Sequence, residues 1–174
     1  MKKAQIWVET AIYTLIGLAI IGAVLSIATP AIDRYKDEIV LEQTISVLND
    51  LNNKIIDVKE LGAGNRRVIP ELRIKKGTLE IDYTGDRIIY MLEESRLEYS
   101  EVGQEFKQGD MTIKTEERGR RYDITLSLPY EDIDLTYNEN ERKIFHPASI
   151  PYKLFIESNG SIGEKVQVII GDIS

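Results

Sequence analysis

The hydrophobic period of this chain changes twice. From Thr10 to Ile32 run 23 consecutive uncharged residues, dominated by Ile, Leu, Ala and Val. As a helix rising about 1.5 Å per residue, this stretch spans roughly 35 Å, enough to cross a hydrocarbon core of about 30 Å. After Pro30 the apolar residues fall mostly three or four apart, at Ile32, Tyr35, Ile39, Leu41, Ile45, Leu48, Leu51, Ile55 and Val58. Between them lie Asp33, Arg34, Lys36, Asp37, Glu42, Asn49, Asp50 and Lys54. That spacing predicts an amphipathic helix, with the first set covered and the second wet. Pro30 has no amide to donate to the Ser26 carbonyl and its ring crowds that turn, which predicts a kink. The helix is expected to stop at Leu61-Gly62-Ala63-Gly64-Asn65, where Gly and Asn tolerate positive φ.

From Arg66 onward the period is two. Leu79, Ile81 and Tyr83 alternate with polar residues, as do Tyr122 to Tyr130, Ile133 to Tyr137 and Val166 to Ile170. The stretches Arg87 to Glu93 and Tyr152 to Ile156 are more uniformly apolar and suit inner strands. Turn signals separate the strands at Lys76-Gly77, Thr84-Gly85-Asp86, Gly109-Asp110, Arg118-Gly119 and Asn159-Gly160. Eight or nine short strands without a helical period predict an antiparallel sandwich. The expected fold class is therefore α+β. A helix covers residues 5–60, apolar over 10–32 and amphipathic over 33–60, and its second half packs on a β-sandwich formed by residues 66–174.

A helix from Gln5 to Glu60 is roughly 80 Å long. A domain of the remaining size cannot bury that length, so the apolar half must lie in lipid or against other copies. Ala19 and Ala23 form a small-xxx-small pair, and Gly17 and Gly22 add narrow points for close helix approach. Lys2 and Lys3 precede the apolar run, while Asp33, Asp37 and Glu38 follow it. The positive-inside rule then puts the N-terminus in the cytoplasm and the sandwich outside.

Charge and composition mainly exclude. A formal charge of -7 argues against nucleic acid as a partner, because phosphate neutralisation needs clustered cations. The absence of cysteine removes disulfides, thiolate metal sites and cysteine nucleophiles. The single histidine, His146, precedes Pro147 in a predicted loop, without the partners a catalyst needs. Neither an enzyme nor a cofactor is expected. The nine tyrosines fall mostly on the inward phase of strands, which favours core packing over a glycan-binding surface. Glu131, Asp132 and Asp134, followed by Asn138 and Asn140, lack the spacing and glycine of an EF-hand calcium loop and are read as a solvated strand and loop. Asn159-Gly160-Ser161 fits the N-glycosylation triplet.

The N-terminal residues carry a family resemblance. Lys3-Ala4-Gln5, placed directly before the apolar run, resembles the processing site of archaeal type IV pilins, whose short basic leader ends in Lys and a small residue before Gln. The resemblance covers about the first third of the chain, and Trp7 stands where the family often has Ser. It implies removal of a leader, residues 1–4, by a prepilin-type peptidase cutting between Ala4 and Gln5. Glu9 then becomes the fifth mature residue, where these pilins characteristically place a glutamate. The implied role of Glu9 is to pair with the new amine at Gln5 of a neighbouring subunit, a contact made register-specific by low dielectric. The implied product is a cell-surface filament, a self-polymer of bundled N-terminal helices coated by the β-domains and serving adhesion. Its implied partners are the peptidase, a membrane platform protein, an assembly ATPase and the membrane that holds the precursor. Two alternatives stay open: a minor pilin or pseudopilin, and a monomeric membrane-anchored binding module in which Glu9 rests at the headgroup layer.

Overall fold

The computed structural model describes residues 2–138 and 142–173, and of residues 2–6 the backbone alone. Its first element, α1, runs over Lys2–Leu61 without a break at Pro30. The chain divides into two compact units, Met1–Lys36 and Asp37–Ser174.

Over the described residues the first unit is helix throughout. Its large apolar side chains from Trp7 to Tyr35 are exposed. The hydroxyls inside the apolar run are spent on the helix itself: Thr14 Oγ1 donates to the Thr10 carbonyl at 2.9 Å, Ser26 Oγ to Ala23 at 2.7 Å and Thr29 Oγ1 to Leu25 at 2.8 Å. Such back-bonding satisfies these hydroxyls within the helix itself.

Among its described residues the second unit joins the rest of α1 to ten strands: β1 (Arg66–Leu72), β2 (Thr78–Asp82), β3 (Arg87–Ser95), β4 (Glu105–Gln108), β5 (Met111–Arg118), β6 (Arg121–Pro129), β7 (Ile133–Tyr137), β8 (Lys143–Phe145), β9 (Tyr152–Ile162) and β10 (Lys165–Asp172). They form a four-stranded sheet, β1-β9-β10-β7, and a six-stranded sheet, β4-β5-β6-β3-β2-β8. As the apolar stretches suggested, β3 and β9 are inner strands. Alternation decides which side chains face inward: in β6, Ile124, Leu126 and Leu128 are buried, and in β7, Ile133, Leu135 and Tyr137. Tyr90, Tyr130 and Tyr137 are buried too, while Tyr99 and Tyr152 pack partly buried against the core.

Leu41, Ile45, Leu48, Leu51, Ile55 and Val58 of α1 join the same core cluster. At about 1.5–3 kcal/mol per buried aliphatic side chain, this row contributes on the order of 10 kcal/mol before ordering costs. The helix stops where expected. Gly62 and Gly64 adopt φ of +83° and +80°, and Asn65 Nδ2 donates to the freed carbonyls of Leu61 and Gly62 at 2.8 and 3.0 Å.

Four expectations need correction. Ile32, Tyr35 and Ile39 are exposed, so the covered face begins later than the spacing alone suggested. Asp37, assigned to the wet face, is buried. The sheets are not wholly antiparallel, because β7 pairs with β10 in parallel. Parallel neighbours need a crossover, and the chain supplies one by running through β8 and β9 between them. Finally, Asn159 and Gly160 lie within β9, not in a turn. Ser158 and Gly160 pair with consecutive residues of β10, Val168 and Gln167, so Asn159 is the extra residue of a bulge. Gly160 takes φ of +90° there, and the hairpin turns instead at Gly163 and Glu164.

Asp86 ties the sheets together from the β2–β3 turn, where it holds φ of +44°. Its carbonyl accepts from Tyr130 N at 2.8 Å, and its carboxylate accepts from Leu135 N of β7 at 3.0 Å and Lys165 Nζ of β10 at 2.6 Å.

Candidate functional site

The feature that sets this chain apart is the apolar half of α1. An 18-residue stretch of the helix reaches a mean hydropathy of 2.3, and none of it is buried. By length and composition it is able to cross a membrane. Glu9 is exposed on this helix, one position before the uncharged run. Met1 lies outside the described residues, as do the side chains of Ala4 and Gln5, so the geometry of the leader site and of a Glu9–Gln5 pairing is not part of the structure. Gly17 and Gly22 have open space where a Cβ would stand, as an approach by another helix requires.

Chemistry buried in the second unit is structural. The Asp37 carboxylate, 4 % exposed, accepts from Lys76 Nζ at 2.5 Å, from Ser95 Oγ at 2.9 Å and from Arg96 N at 3.0 Å. Burial alone would raise its pKa, but Lys76, the Arg96 amide and the Ser95 hydroxyl together hold it below the ordinary carboxylate value. Next to this group, Tyr90 donates to the Lys76 carbonyl at 2.6 Å, and its phenol is pushed up to about 12, first by burial. A second polar insert lies further along the helix. Asn52 Nδ2 donates to Asp110 Oδ2 at 2.9 Å, and Asn52 Oδ1 accepts from Tyr130 OH at 3.0 Å. These two inserts fix the rotation and register of α1 against the strands, which an apolar row alone leaves loosely specified.

Sequence reasoning passed over both inserts. The available signal was that Asp37 lies four residues before Leu41, in register with the buried row, and that Asn52 directly follows Leu51.

The remaining sequence candidates are surface features. His146 sits in an exposed loop, where its carbonyl accepts from Tyr152 OH at 2.9 Å. In the acidic run, Asp132 is engaged by Lys59, while Asn140 lies outside the described residues. Among the described residues no cluster of three or more His, Asp or Glu could hold a metal ion. An open groove of about 300 Å³ passes Asn52, Lys107, Asp110 and Tyr130, but Tyr130 is too deeply buried to offer a sugar-stacking face. Asn159 is exposed on its bulge, with its amide donating to Gln167 Oε1 at 2.8 Å.

The chain matches no protein-family model, no curated protein and no solved structure.

Proposed function

We infer that this protein is the structural subunit of an extracellular, type IV pilus-like filament. The carrying observation is that a long apolar helix stays entirely uncovered while the second unit has a complete core of its own. Exposed apolar surface on this scale has to be covered by lipid or by protein. In this reading it is covered by lipid in the precursor and by other copies of α1 in the polymer. Lys3-Ala4-Gln5 and the register of Glu9 support the second stage, because a leader-processed, membrane-held subunit is what such an assembly consumes. The β-rich unit then forms the filament's outer surface, and attachment to surfaces is its role.

Two measurements test the reading. Mass spectrometry of surface-sheared material is expected to find a chain beginning at Gln5. Losing Lys2 and Lys3 takes the formal charge of -7 to -9. Detection of Met1 would favour a plain membrane anchor. In the second test, Glu9→Gln is expected to insert normally, since an amide is cheaper than a carboxylate in lipid, yet to form few filaments. Breaking one side of a buried pair typically costs about 3–5 kcal/mol per contact. Glu9→Asp, which keeps the charge with less reach, is expected to be intermediate. Normal filaments from Glu9→Gln would overturn the pairing mechanism.

A further inference from the structure

The end of the apolar run does not end the exposed apolar surface. Ile32, Tyr35 and Ile39 are 50 %, 65 % and 53 % exposed. Their spacing of three and four is the heptad spacing of a helix–helix seam. Counted backwards it meets Ala28, Leu25, Ile21 and Leu18, and forwards it ends at Glu42. Inside the run every neighbour is uncharged, so the spacing carries little information there. Past Ile32 it becomes selective, because Asp33, Arg34, Lys36, Asp37 and Glu38 take the positions between. Within the second unit the side of α1 facing the core is accounted for by Leu41, Ile45 and Leu48, and Ile39 lies off that row.

Lipid is a poor occupant for this stripe. The uncharged run already covers roughly 35 Å, more than a hydrocarbon core of about 30 Å, and Ile39 lies about 10 Å further along the helix. The charges in the same two turns hold this segment in water or headgroups. An occupant must then present a narrow apolar seam with polar flanks. α1 carries such a seam itself.

We propose that Ile32, Tyr35 and Ile39 form a subunit–subunit seam, covered by α1 of a second copy, which carries helix bundling about two turns beyond the apolar run and ends it at Glu42. The proposal rests on the filament reading above and adds where the helix contact stops. The partner is another copy of this chain, and the membrane has no part in covering Tyr35 and Ile39.

The absence of cysteine makes the test clean, since an introduced thiol is then unique in the chain. The test places one thiol in the seam, by Tyr35→Cys. Labelling of that thiol by a water-soluble maleimide is expected to be roughly tenfold slower or more in filaments than in the membrane precursor, because buried thiols are shielded. Asn53→Cys, on an exposed position past the seam, is expected to be labelled equally in both states. Tyr35→Glu and Ile39→Glu are expected to abolish filaments at unchanged membrane level, and Asn53→Glu to leave them intact. If wild-type filaments are present while the Tyr35→Cys thiol is labelled equally in both states, the seam is wrong and the filament reading stands. A thiol at this position that is shielded already in the precursor would mean that lipid covers the stripe, which also overturns the proposal. If electron microscopy finds no wild-type filaments, both readings fall together.

Discussion

One helix is treated in two opposite ways along its length. In the Asp37–Ser174 unit every apolar residue of the row Leu41, Ile45, Leu48, Leu51, Ile55 and Val58 is buried against strands of the same chain. In the Met1–Lys36 unit residues of equal hydrophobicity, among them Leu18, Ile21 and Leu25, are covered by nothing in the chain. The apolar residues are of the same kinds in both halves, so residue type alone does not distinguish their fates. What differs is patterning: polar residues interrupt one half at helical period and leave the other unbroken. A stripe fits a single covering surface, whereas an all-round apolar helix needs cover on every side.

The strongest way to break this contrast is to cut it. A fragment beginning at Asp33 is expected to be soluble and to melt cooperatively, while the full chain requires detergent or lipid. Circular dichroism with thermal melting, together with gel filtration, checks this. Aggregation of the fragment would mean that the core depends on the apolar half.

Next in size are matched truncations on the two halves. Leu48→Ala and Ile55→Ala, both essentially fully buried, are expected to cost about 2–5 kcal/mol each. Leu18→Ala, chemically the same loss as Leu48→Ala, is expected to leave the melting of the β-rich unit unchanged. Denaturant titration reads all three, and equal effects would erase the distinction between the halves.

A smaller effect is expected at Asp37. Asp37→Ala strands the Ser95 hydroxyl and the Arg96 amide, but Lys76, 43 % exposed, can turn to water. The expected cost is therefore about 2 kcal/mol, below the roughly 3–5 kcal/mol of a fully enclosed pair. The linked pH dependence has a definite sign. The folded chain holds Asp37 below its ordinary value, so ionised Asp37 stabilises the fold. That contribution is complete above the ordinary carboxylate pKa of about 4 and is lost as pH falls through the lowered folded value. Asp82, lowered by Arg87 against the opposing effect of its burial, and Asp132, lowered chiefly by Lys59, act in the same direction. Asp37→Asn is expected to melt with a shallower slope in the acid range than the wild type, and an unchanged slope would remove Asp37 from the account.

The least effect on stability is expected at Asn159. The residue is exposed, and Asn159→Gln is expected to shift stability by less than about 0.5 kcal/mol. It breaks the glycosylation triplet, so glycan carried by the mature chain at this position is expected to disappear from its mass. A mass that changes only by the added methylene would remove Asn159 as an acceptor.

Much of this contrast was legible before any coordinates. The row Leu41 to Val58 and the Gly-Ala-Gly stop are local signals, and the local structure obeys them. Partners distant in sequence were not legible. Asp37 reads as a wet residue because its cations and donors, Lys76, Ser95 and Arg96, lie far along the chain. Ile32, Tyr35 and Ile39 read as core because a helical period says that one face is apolar and not what covers it. The parallel placement of β7 follows from the path of the whole chain, and a period of two is blind to strand direction. The Asn-Gly pair predicts a backbone that accepts positive φ, and a bulge uses that freedom as well as a turn does. For Glu9 and Gln5 the sequence is the whole basis of the pairing role, since a contact between copies leaves no trace in one chain.

The shared core also has a consequence in time. The cluster that buries Leu41 to Val58 includes Leu154, Ile156, Val168 and Ile170, which are made last. At about 5–20 residues per second, the amphipathic half of α1 waits roughly ten seconds on the ribosome's schedule before its final covering strands exist. If the apolar half is already held in the membrane during that interval, the waiting segment is tethered in two dimensions at the outer face, where encounters with other nascent copies are frequent. Anything that guards it there would act before the fold closes and would have no binding site afterwards.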